Sequence, residues 1–68
     1  MKTFEEKGIT HLDLHGVRHG DASGEVIDFV YRHQSRIPLI IICGNSNRMI
    51  QIAEDSLNSN SIMFSKPR

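Results

Sequence analysis

Sixty-eight residues make one domain at most, and a chain this short buries only about 60% of its unfolded surface, so its core is marginal. Eight basic and eight acidic side chains give a formal net charge of zero, which argues against tight electrostatic wrapping of DNA. No apolar run approaches the roughly 18 residues of a membrane span, and the one cysteine, Cys43, cannot form an internal disulfide.

These properties set further expectations. Unpaired cysteine points to a reducing compartment. The segment from Met1 to Lys7 has no apolar stretch of the kind a signal peptide carries. A cytoplasmic protein is expected, without a membrane partner. Domains of this size usually need a staple or a partner, so self-association is expected as well.

Residues 1–8 read as a polar lead-in. Ile9-Thr10-His11-Leu12-Asp13-Leu14-His15 then alternates. Thr10, Leu12 and Leu14 point one way; Ile9, His11, Asp13 and His15 point the other. This predicts a strand, ended by Gly16. Val17 to Gly20 form a loop, with Asp21 as helix N-cap. Ala22, Val26, Phe29, Val30 and His33 fall at helical spacing and predict an amphipathic helix from Asp21 to about Gln34. Gly24 weakens it by about 1 kcal/mol relative to alanine. The stretch Ser35-Arg36-Ile37-Pro38 ends it, because proline cannot continue a helix.

Leu39-Ile40-Ile41-Ile42-Cys43 is apolar on both faces, the pattern of a central parallel strand covered on both sides. Gly44-Asn45-Ser46-Asn47 is a turn rich in capping residues. Met49, Ile50, Ala53 and Leu57 predict a second helix from about Asn47 to Leu57, stopped by Asn58-Ser59-Asn60. Ser61 to Ser65 reads as a short last strand and residues 66–68 as a tail. The expected fold is one α/β domain over residues 1–68. It is a two-layer βαβαβ sandwich on a mainly parallel sheet of three or four strands.

Right-handed crossovers place the carboxyl ends of the first two strands on one edge, where ligands of open α/β sheets bind. His15 and Gly16 are therefore expected near Gly44 to Asn47. Residues two apart on a strand are separated by roughly 6.6 Å, so Asp13 and His15 can act on one ligand. A carboxylate beside an imidazole orients it for proton transfer to and from a phosphodiester. The plainer reading is a solvated, polar strand face. The Gly44-Asn45-Ser46-Asn47 turn offers free backbone N–H groups at a helix N-terminus, which favour an anion such as phosphate; the plainer reading is an ordinary capped turn. Arg18 is the nearest cation for a phosphate, with His19 beside it. Arg48 opposes the helix dipole, a hint that an anion visits. Cys43 reads as a small buried hydrophobe, with a Cys43–His15 nucleophilic pair as the sharper alternative. His33 and Met49 read as structural.

Leu12-Asp13-Leu14-His15-Gly16 resembles the first signature motif of the small MutS-related (Smr) domain family. Asp21-Ala22 resembles the family's acidic-residue–alanine pair at the first helix. Val26, Phe29 and Val30 match apolar helix positions, and Ile40-Ile41-Ile42-Cys43-Gly44 matches the second strand and the first glycine of the second motif. The resemblance spans roughly residues 9–64. It implies a two-layer α/β fold and work on nucleic acid, by DNA nicking, RNA cleavage or binding alone. The family's functional aspartate and histidine fall on Asp13 and His15, and its glycine-rich motif on Gly44, Asn45 and Ser46. Asn45 and Ser46 stand where the family has a basic residue and a second glycine, so Arg18 or Arg48 would have to supply the cation. The family usually continues into a further strand; the open edge expected here favours pairing with another copy.

Three functions compete. In the first, an endonuclease uses His15 as general acid or base. Asp13 orients His15 or holds a divalent ion, and Gly16, Arg18, His19 and the Gly44–Arg48 segment bind DNA or RNA, structured or branched. The second is a non-catalytic nucleic-acid- or protein-binding module. The third is a metal hydrolase holding zinc through His11, Asp13 and His15, with His19 as further ligand.

Overall fold

The computed structural model describes residues 2–64. The chain begins with a hairpin. Strand β1 (Thr3–Glu6) pairs antiparallel with strand β2 (Ile9–Asp13), with Phe4 opposite His11 and Glu6 opposite Ile9. Lys7 and Gly8 form the two-residue loop at φ 53° and 79°. Two positive φ values match the right-handed twist of the strands they join, as in a type I′ turn. The polar lead-in expected for residues 1–8 is thus a strand. Two adjacent glutamates hide it from propensity, and pairing with β2 supplies the missing stability.

Strand β2 is central, in the order β1-β2-β3. It ends at Asp13, two residues before the expected end. Thr10, Leu12 and Leu14 are all buried on one face, as the alternation predicts. Leu14 to Val17 then closes a β-turn through a 3.1 Å bond from the Val17 N–H to the Leu14 carbonyl. Gly16 takes φ +80° at its third position, which glycine tolerates without strain.

Helix α1 (His19–His33) starts two residues earlier than expected. Arg18, not Asp21, is the N-cap residue, and no side chain caps it. Asp21 lies in the first turn, where its carboxylate favours the positive end of the dipole. Ala22, Val26 and Phe29 are buried. A short 3-10 turn (Gln34–Arg36) leads toward Pro38.

Strand β3 (Leu39–Ile42) pairs parallel with β2, Leu12 opposite Ile41 and Asp13 opposite Ile42. It is an edge strand, not the expected central one. Leu39 and Ile41 pack on the core. Ile40 shares the opposite face with His11 and Phe4 and stays exposed. An apolar run on both faces does not distinguish a covered centre from an edge with one open face.

Helix α2 (Asn47–Ser59) is capped by the Ser46 hydroxyl, which accepts from the Met49 N–H at 3.1 Å. It runs two residues beyond Leu57. At its end the Ile62 N–H donates to the Leu57 carbonyl at 2.9 Å and the Ser61 N–H to the Asn58 carbonyl at 3.1 Å. With Ser61 at φ 58° this is a Schellman motif. It explains why Ser61–Phe64 does not form the expected last strand: the first two residues are held by the helix end. Ser65 and the tail at 66–68 lie outside the described residues.

The fold is two-layered α/β, as expected, but its order is ββαβα and its three-stranded sheet is mixed rather than mainly parallel. Both helices cover the Thr10–Leu12–Leu14 face, and Leu12, Leu14, Ala22, Val26, Phe29, Met49, Ala53 and Leu57 form one core. Among the described residues, no helix is long and apolar enough to cross a membrane.

Candidate functional site

The parallel pair β2–β3 decides where the site lies. Both strands run to the same edge, and each is followed by a turn and a helix N-terminus. The Leu14 N–H donates to the Ile42 carbonyl at 2.9 Å, so the two chains leave the sheet side by side. His15 follows the first and Gly44 the second.

Strand geometry alone would hold Asp13 and His15 one pleat apart. Because β2 stops at Asp13, the chain instead folds back locally. Asp13 Oδ1 accepts the His15 backbone N–H at 2.9 Å and lies 2.6 Å from His15 Nδ1. An aspartate that accepts from the backbone two residues on makes an Asx-type turn. The same oxygen then fixes the imidazole. A carboxylate only accepts, so Nδ1 carries the proton that it donates to Asp13, and Nε2 faces away. The two bonds from His15 hold the Asp13 carboxyl below its ordinary value of 3.8, the backbone bond contributing most and the ring bond next.

His15 Nε2 lies against Gly44. A Cβ on Gly44 would stand 2.5 Å from it and 3.1 Å from Cδ2. Gly44 also takes φ +66°. Both conditions favour glycine there: the backbone conformation strains any side chain, and a Cβ would force the His15 ring to shift. The sequence expectation that His15 lies near the Gly44 turn is met at Gly44 itself.

The other expected site residues lie on the turns and helix starts that follow β2 and β3, and none of them bonds to this pair among the described residues. Arg18 and His19 sit at the start of α1, and Asn47 and Arg48 at the start of α2. With Gly16 and Asn45 they are exposed. Ser46 is half-buried, and its hydroxyl is engaged in the α2 cap.

Two sharper alternatives are corrected. His11 does not join Asp13 and His15. It is buried, stacked on Phe4 at 4.9 Å and 10°, and its Nδ1 donates to the Ile9 carbonyl at 2.8 Å. No group of three or more histidine, cysteine, aspartate or glutamate side chains comes together as a metal site among the described residues, so the zinc set of His11, Asp13, His15 and His19 is not assembled. Cys43 is half-buried, and burial, followed by the charge of Glu54, pushes its thiol up. An activated nucleophile needs the opposite shift, which counts against the Cys43–His15 pair. Sequence reasoning missed Phe4, the ring that withdraws His11. Its one local signal was Gly8 immediately before the alternating run of β2, a turn residue at a strand start.

No family model, curated protein or solved structure matches the chain.

Proposed function

We propose that the chain acts on nucleic acid as a phosphodiesterase of the DNA-nicking or RNA-cleaving type, with His15 as its proton-transfer group and Asp13 as the residue that orients it. One observation carries the reading: Asp13 Oδ1 holds both the backbone N–H and Nδ1 of His15. The remaining ring nitrogen then lies at the edge where two helices begin. Nε2 takes a proton from an attacking hydroxyl, from water or a ribose 2′-OH, or gives one to the leaving oxygen. Phosphate is the natural guest of this edge, because the N-termini of α1 and α2 present unpaired N–H groups and their dipoles favour an anion. Gly16 leaves open space, with nothing within 4 Å of where a Cβ would stand, and the exposed residues Arg18, His19, Asn45, Asn47 and Arg48, on the adjoining turns and helix starts, are the candidate polar contacts. Asp13 Oδ2, which takes neither bond from His15, is the oxygen that would contact a divalent ion. The likeness of Leu12-Asp13-Leu14-His15-Gly16 to the Smr motif supports the same substrate class.

A second reading is a non-catalytic nucleic-acid- or protein-binding module with the same fold. It is favoured by zero net charge and by the side chains at the second turn. Asn45 carries no charge, and the Ser46 hydroxyl is occupied in the cap.

The test is a cleavage screen on single-stranded, branched and duplex DNA and RNA, with and without divalent metals, run beside gel shifts. The catalytic reading expects product with at least one substrate class. Binding without product over long incubation selects the module.

A further inference from the structure

We propose that the groove along the free edge of β3 receives one extended peptide strand from a partner protein, carrying alternate apolar side chains and a basic residue set against Glu54. The width of the two layers makes the place. Neighbouring strands lie about 4.8 Å apart, so β1 and β3 are separated by about 10 Å. Two packed helices, each about 10 Å across and 8–10 Å apart, form a layer about 20 Å wide. Helix α2 packs chiefly on α1, and its outer flank faces the β3 side of the sheet across an open groove. The groove, of about 600 Å³, is lined by Ile41 and Cys43 from the β3 side, by Ala53 and Glu54 from α2, and walled in part by Ile62 and Phe64 of the segment that follows α2.

The floor of this groove is a strand edge with no partner among the described residues. Leu39–Ile42 carries no charge and no proline, the devices that normally protect an edge from pairing. Backbone hydrogen bonds of an added strand give affinity, and alternate side chains beside α2 give selectivity. Glu54 supplies the charge preference. It is half-buried, and no ion pair engages it among the described residues. A second copy pairing through its own β3 does not fit, because its equally wide helix layer would enter the space that α2 fills.

The probe is a short blocked peptide of alternating valine and threonine with one central lysine. Saturating peptide is expected to slow amide exchange along β3 by about tenfold or more. A central proline is expected to abolish the effect, and glutamate in place of lysine to weaken it. Glu54→Lys is expected to reverse the lysine–glutamate preference, and Glu54→Gln to erase it. Unchanged exchange, an equal effect of the proline peptide, or an unaltered preference in both variants would overturn the proposal. So would protection of β3 before peptide is added. Concentration-dependent protection would assign the edge to a second copy, and concentration-independent protection to a segment of the chain itself.

Discussion

The His15 imidazole rests on Gly44, with Nε2 2.5 Å from the point a Cβ would occupy. Asp13 holds the other side of the ring through Nδ1 at 2.6 Å. The ring is thus set between a carboxylate that fixes its tautomer and a glycine whose missing side chain makes room for Nε2.

Gly44→Ala is expected to displace the ring or the loop. The left-handed φ of +66° adds a cost of about 1–2 kcal/mol for any side chain. Thermal unfolding gives the stability loss, and the His15 ring signals in an NMR spectrum give the displacement. An unchanged ring environment would show that Gly44 does not set the His15 position.

Asp13 makes stability depend on pH in one direction. Its folded-state carboxyl lies below the ordinary value of 3.8. The ionised form is therefore favoured by folding, and the contribution is fully present above the unfolded value. It is lost as pH falls through the folded value. Asp13→Asn is expected to flatten the acid limb of a urea-unfolding series between neutral and strongly acidic pH. A carboxyl titration of Asp13 at or above its ordinary value would contradict the bond pattern.

Ser46 separates a capping role from a ligand role. Ser46→Ala is expected to cost about 1 kcal/mol, while Ser46→Gly costs only a few tenths. Chemical denaturation of both variants checks this. If Ser46→Gly retains stability and nucleic-acid binding, the hydroxyl acts on Met49 alone.

Two non-glycine residues in left-handed conformation offer the opposite test. Ser61→Gly at the end of α2 and Lys7→Asn in the hairpin loop are each expected to stabilise the fold by about 0.5–1 kcal/mol. Additive gains in melting temperature are expected, because the two sites lie on different elements.

What the sequence made legible, and what it did not, follows from where information is local. The β2 alternation is readable because Thr10, Leu12 and Leu14 bury one face of a strand. Helix α2 is readable because Ser46 supplies its cap. Strand β1 is not, because Glu5 and Glu6 are poor strand formers and the strand exists only through its pairing with β2. Leu39–Ile42 is apolar on both faces, and nothing within it tells centre from edge. Asp13 and His15 were singled out by strand spacing, yet their contact comes from the turn that begins where the strand stops. His11 had the same spacing and is lost to Phe4, a partner seven residues away across a hairpin the sequence reading did not include.

The central claim is tested most directly by His15→Ala. The side chain is mostly exposed, at 65% of its surface, and the backbone bond to Asp13 remains in the variant, so His15→Ala is expected to stay folded with at most a small fall in melting temperature. Cleavage of the best substrate from the nucleic-acid screen is measured for both proteins under matched conditions. The account predicts a fall of about 100-fold or more, the scale of a lost general acid–base group, with the fold intact. Cleavage at the parent rate in a folded His15→Ala protein would contradict it.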